Sequence, residues 1–233
     1  MLSFLPVPRR AGSPCFATRE WENPGPHGPT MSFGRPVRLP RPFLLSCRRL
    51  GVQLTRQVLL VWVGSQCVEW CVRGRGTSGL VYQMRRRLVA STSRFGVGEQ
   101  ADSHRTPRGL HRVARKSGGG WPVGTVFEAR QPVGYTWQGR PNAAIAHRIL
   151  WLEGLEPGRN RGDAVDSFRR FIYVHGVGDE LTLGRPASRG CVHLAAGDLM
   201  PLYDALPEAS LVWVSEAHAP PRIGCAKALS GSR

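Results

Sequence analysis

Tyr173-Val174-His175-Gly176, followed at residues 184–193 by GRPASRGCVH, is the stretch on which the reading of this chain turns. Tyr173, Val174 and His175 read as a strand that delivers His175 at its end. Alternation along a strand running from Arg170 to His175 puts His175 on the same face as Tyr173 and Phe171. A glycine-bounded turn then leads to Cys191. Beyond it, Leu199, Leu202, Tyr203 and Leu206 fall at i, i+3, i+4 and i+7, which predicts a helix after Gly197 and Asp198. Asp198 suits the positive end of that helix, Pro201 is expected in its first turn, and Pro207 ends it.

Outward from this centre, the texture is short and apolar between Gly and Pro. Residues 58–63 (VLLVWV) and 66–72 (QCVEWCV) flank Gly64-Ser65 and read as two strands about a two-residue turn. Further short runs lie at 110–114, 125–129, 148–152 and 211–215. Many short strands with Gly-rich turns predict a mainly β domain. Cys67 and Cys71 share a face of their strand and lack a second pair of ligands, so they read as small core residues and not as a zinc site. The six cysteines have no spacing that suggests a disulfide framework.

Charge is distributed unevenly. Of a net +16, residues 1–116 carry +15, and only Lys116 and Lys227 are lysines. Residues 1–56 hold nine prolines and nine arginines without a sustained period, which reads as a basic, disordered arm. Such charge attracts polyanions. No aromatic-interleaved basic motif accompanies it, so a solvated arm is the preferred reading over a nucleic-acid surface. Apolar runs fall far short of the roughly 20 residues of a membrane span, and no export signal is legible in the first fifty residues. Residues 217–233 read as a polar tail.

The chemistry concentrates at Cys191 and His175. A thiolate is the nucleophilic form of cysteine, and a neighbouring imidazole can take up the thiol proton. Gly190 permits a close backbone approach, so amides around Cys191 are candidates for an oxyanion hole. Taken as bare residue types, a Cys and a His sixteen positions apart are weak evidence.

The surrounding pattern adds to them. His175-Gly176 with Ser188-Arg189-Gly190-Cys191 resembles the signature of the L,D-transpeptidase (YkuD-type) catalytic domain family. The segment from Arg105 to Val113, the stretch VASTSRFGVG at 89–98, the run at 148–152 and the helix near Asp198 are similar to family segments at the same places. The resemblance spans about residues 58–215 and implies an L,D-transpeptidase-like β-sandwich over residues 57–216, with a short helix after the nucleophile. It implies a cysteine-dependent acyltransferase: Cys191 and His175 are catalytic, and Tyr173, Gly176, Ser188, Arg189, Gly190 and His193 surround substrate and oxyanion. Peptidoglycan stem peptides are the implied substrates, carbapenems the implied inhibitors, and the periplasm or cell envelope the implied location. No cofactor or metal is implied.

Two positions depart from the family pattern: Arg189 stands where His is common, and His193 where Arg or Asn is common. These departures keep open a degenerate member that binds wall peptide without turnover. Two further readings stay open beside it, another thiol hydrolase and a basic nucleic-acid-binding protein. Gly96-Val97-Gly98-Glu99-Gln100-Ala101 matches a dinucleotide-loop pattern, but Asp-Ser-His-Arg-Thr-Pro follows it instead of a helix, so a turn is expected. His104, His111 and His147 are expected to face solvent.

Overall fold

The strand β2 (Gln57–Trp62) is buried along nearly its whole length, which is why its sequence is continuously apolar instead of alternating. In the computed structural model, which describes residues 36–76 and 79–220, Leu59 and Val61 enter one core cluster while Val58, Leu60 and Trp62 enter another on the opposite face. Upstream of β2 lie a two-residue strand β1 (Pro36–Val37) and a helix α1 (Arg41–Arg49). Downstream, β3 (Cys67–Gly76) and β4 (Gly79–Ser91) form a long antiparallel hairpin. The connection from β2 to β3 is a 3-10 turn over Val63–Ser65 with left-handed Gln66 (φ 46°), longer than the expected two residues.

Next come β5 (Gly109–Ser117), the hairpin β6 (Thr125–Glu128) and β7 (Gln131–Tyr135), β8 (Ala146–Gly154), β9 (Tyr173–Gly176) and β10 (Val192–Leu194). The chain then forms helix α2 (Ala196–Ala205) and strand β11 (Leu211–Ser215). The sheet runs β5-β11-β2-β3-β4-β10-β9-β8-β6-β7, with β1 added on β4. Because β5 pairs with both β11 and β8, eight strands close into a circuit, and the β6–β7 hairpin hangs from β8. The fold is mainly β, as expected, with a short helix directly after β10.

Helix α2 lays Leu199, Leu202, Tyr203 and Leu206 on the core that holds Val174, Val192 and Leu194. Pro201 sits in the second turn and not the first. It is exposed, so its missing N–H faces no buried acceptor. The strand expected from Arg170 begins only at Tyr173. Phe171 has φ 55° and lies in a turn, which breaks the alternation before Tyr173.

Residues 36–56 depart from the disordered arm expected there. Phe43, Ser46 and Cys47, at i, i+3 and i+4, are buried against β2 and β11, and the rings of Phe43 and Trp213 meet edge to face at 6.0 Å. Full burial of one such phenylalanine contributes about 1.5–3 kcal/mol. Pro40 and Pro42 break a helix only in its interior; here they flank its first residue. The buried carboxylate of Glu156 fastens the helix, accepting from Ser46 Oγ (2.7 Å), Arg49 (2.9 Å) and the Leu110 amide (3.0 Å). At the other end, the Ala219 amide donates to Ser65 Oγ (2.9 Å), so the expected tail begins folded. Residues 1–35 and 221–233 of the expected arm and tail, with Cys15 and Cys225, lie outside the described residues. Cys67 and Cys71 do share the face under α1.

Candidate active site

Two neighbouring parallel strands build the site. The register pairs Val192 with Val174 and His193 with His175, so alternation puts Cys191, His193, Tyr173 and His175 on one face. The rings of His175 and His193 stand 4.7 Å apart. The loop before Cys191 is locked from within: buried Ser188 donates its hydroxyl to Cys191 O (2.6 Å) and accepts from the Gly190 amide (3.1 Å). Its role is to hold this turn. Gly190 has φ 117°, and a Cβ there would lie 3.2 Å from Ile172 and 3.3 Å from Arg105 O, so no other residue makes the turn without strain.

Gly176 is required for a different reason. A Cβ there would fall 2.5 Å from His147 Cδ2 and 2.8 Å from Ala146 O. Its carbonyl accepts a hydrogen bond from His175 Nδ1 (2.8 Å). A carbonyl can only accept, so Nδ1 carries the proton and Nε2 keeps its lone pair. The ring is therefore held as a neutral base.

Cys191 is only partly buried as a residue, and it packs on the aromatic cluster of Phe127, Trp151 and Tyr173. Its sulfur accepts from the Tyr173 amide (3.4 Å) and donates to Phe171 O (3.5 Å). Among the described residues, no hydrogen bond joins the sulfur to either imidazole. Burial pushes the thiol up to about 11, against the pull of the Tyr173 amide and the charge of Arg170. Burial likewise pushes His175 down to about 4, opposed by its bond to Gly176. His193 falls to about 3, by burial first and then by His175 and Arg94. With these shifts the thiol and both imidazoles are neutral near pH 7.

The remaining expected residues are placed unevenly. Tyr173 is buried, its hydroxyl accepts from Arg130 (3.0 Å), and its amide positions the sulfur. Arg189 is exposed and has no ion-pair partner among the described residues. His193 Nδ1 is buried and has no hydrogen-bond partner among them. His104 is exposed as expected, whereas His111 and His147 are buried. His111 bridges Gly109 O (3.1 Å) and Ser167 Oγ (3.0 Å), and His147 bridges the Gly124 amide (2.8 Å) and Val177 O (3.1 Å). Both histidines read as solvated from their basic neighbours; distant chain segments cover them.

Two arginines escaped the sequence reading. Arg130, with φ 70° at the tip of the β6–β7 hairpin, lays its guanidinium over Trp151 (4.6 Å) and Phe171 (5.4 Å). Arg170 is tied to Glu99 O (2.6 Å) and Arg105 O (2.7 Å) and places its charge near the sulfur. In so arginine-rich a chain neither has a local signature. Among the described residues, no group of three His, Cys, Asp or Glu is arranged to hold a metal.

A family model for the L,D-transpeptidase catalytic domain (YkuD) matches residues 56–214. No curated protein matches. Among solved structures, Bd1075 of Bdellovibrio bacteriovorus is 15% identical, with 70% of this chain and 49% of that one covered at a TM-score of 0.45. An L,D-transpeptidase from Mycobacterium smegmatis is 15% identical over 69% of this chain and 58% of its own, with a TM-score of 0.40. L,D-transpeptidase 3 from Mycobacterium tuberculosis, in complex with a faropenem-derived adduct, is 16% identical over 69% and 60%, with a TM-score of 0.39. The chain thus spans about half to three fifths of the length of these structures.

Proposed function

The chain belongs to the L,D-transpeptidase (YkuD) catalytic domain family, and from that premise we propose that it is a peptidoglycan L,D-transpeptidase with Cys191 as nucleophile and His175 as its base. The observation that carries this reading is the β9–β10 register. It puts thiol and imidazole on one face, with the imidazole held in the tautomer whose Nε2 is free to accept a proton.

The donor is a tetrapeptide stem, and the bond attacked joins its third residue to the terminal D-alanine. Because the resting thiol is raised and the imidazole lowered, the proton moves to Nε2 only as the sulfur bonds to the carbonyl carbon, in general-base fashion. The negative oxygen takes a hydrogen bond from the Cys191 amide; the Gly190 amide is already committed to Ser188. The C–N bond then breaks, His175 returns the proton to the departing D-alanine amine, and a thioester remains. An amine of a second stem gives a proton to His175 and attacks the thioester, and the C–S bond breaks with the proton returning to sulfur. The product is a cross-link between third-position residues. Water as acceptor gives carboxypeptidase activity, and a protein lysine gives anchoring. Arg189, exposed beside the nucleophile turn, is positioned to attract a stem carboxylate. A carbapenem acylates the same sulfur, and the place of action is the cell wall.

Incubation with a disaccharide-tetrapeptide, followed by mass spectrometry, tests this. The wild-type chain is expected to release D-alanine and carry a thioester mass on the Cys191 peptide, and Cys191→Ala to do neither. Release by the alanine variant would remove Cys191 from the reaction. A wild type that binds the stem without turnover would make it a silent member of the family.

A further inference from the structure

Two exposed aromatic side chains, Trp121 and Trp137, lie in the segments that flank the β6–β7 hairpin. Trp137 is 62% exposed, yet its ring is held, stacked on Tyr135 at 4.7 Å and nearly parallel at 10°. Beneath it, Gly124 (φ 89°) leaves no space: a Cβ there would lie 2.2 Å from Trp137 Cζ3. The Thr136 amide closes the same corner on Gly124 O (2.8 Å). Trp121 and Val123, 44% and 47% exposed, extend the apolar surface along the turn that leads into β6.

The turn that carries Trp137 closes with the Arg140 amide donating to Thr136 O (3.3 Å), and Arg140 also lines a groove of about 650 Å³ between β6 and residues 139–145, with Glu128 and Asn142 among its other polar groups. Arg140 and Glu128 form an ion pair (3.0 Å), so the groove offers hydrogen-bonding groups without a net attraction for anions. Phe127 and Ile145 line the groove and also belong to the cluster on which Cys191 packs. The platform is tied to the catalytic strand as well: the Gly124 amide donates to His147, whose Nε2 bonds Val177 O, next to His175-Gly176.

Rigid, flat and exposed rings bordered by neutralised polar groups suit a pyranose sugar. One face of the sugar presents C–H groups for the rings, and its rim presents hydroxyl and acetamido groups for the neighbours. A lipid surface would ask for unpaired cations here, and a protein partner for a wider apolar patch. We propose that this platform and groove bind the glycan strand of peptidoglycan, a β-1,4-linked polymer of N-acetylated hexosamines, and so carry its stem peptide toward Cys191. The inference rests on the transpeptidase reading for its biological ligand, but its test needs no turnover.

The full chain is titrated calorimetrically with the peptide-free tetramer of N-acetylglucosamine. Saturable binding is expected, weakened about tenfold in Trp137→Ala and to a smaller extent in Trp121→Ala. Leu181→Ala, a change at an 89% exposed apolar residue outside the platform, should bind as wild type. Circular dichroism confirms that each variant is folded. No saturable binding up to about 10 mM, or undiminished binding by folded Trp137→Ala, overturns the proposal. So does Trp137-dependent binding to phospholipid vesicles in place of the sugar. Sugar binding without release of D-alanine would sink the enzymatic reading and leave this one standing.

Discussion

In the proposed mechanism Cys191 lies between two demands, enclosure by aromatic rings and readiness to attack. Its partners decide which dominates at rest. The Tyr173 amide and the Arg170 charge favour the thiolate, but desolvation outweighs both and holds the thiol near 11. Alkylation tests this balance. At pH 7, iodoacetamide should modify the Cys191 peptide about a hundredfold more slowly than an unperturbed thiol, with a rate rising about tenfold per pH unit until near pH 11. Mass spectrometry of the digested protein reads Cys191 apart from the other cysteines. A rate already on a plateau below pH 7 would mean a thiolate–imidazolium pair at rest and would contradict a neutral resting pair.

At the scale of elements, α1 decides where the folded unit begins. It is nine residues long, too short to be stable alone in water, so its order comes from what it covers. Phe43 fills a site lined by Leu60, Leu110 and Trp213, and Glu156 fixes the helix from beneath. Phe43→Ala should therefore cost about 3–5 kcal/mol in urea unfolding. A change within about 0.5 kcal/mol, typical of an exposed site, would return these residues to the status of an arm. The short strand β10 shows the opposite case. It has only three residues but lies between β4 and β9, and the Ser188 and Gly190 turn delivers it in register.

For the whole molecule, closure of the sheet buries His111 and His175 and half-buries His193. His111 and His175 are driven down to about 4 and His193 to about 3, all from an ordinary value of 6.5, chiefly by desolvation. The unfolded chain then binds protons that the native state refuses between these values. Stability is fully present above about pH 6.5 and is lost as pH falls toward about 4. Thermal unfolding across that range should show Tm falling with acidity. His111→Gln should show a shallower slope, whatever its Tm at neutral pH. An unchanged slope would mean that His111 is already protonated in the fold.

The linear order of residues determined much here by itself. Short apolar runs between turn residues, the 3.6-residue period around Leu199 and Leu206, and the paired His175-Gly176 and Gly190-Cys191 are local signals. They announce strands, a helix and the two halves of the candidate site. Tertiary structure alone decided what depends on partners far along the chain. The sealing of His111 and His147, the docking of α1 through Phe43, the reach of Arg130 to Trp151 and Tyr173, and the protonation of Cys191 all belong to this second group. Periodicity is written in neighbouring residues, whereas burial and titration are set by whatever the fold brings alongside, and in so arginine-rich a chain no local pattern distinguishes a cation in solvent from one lying on an aromatic ring.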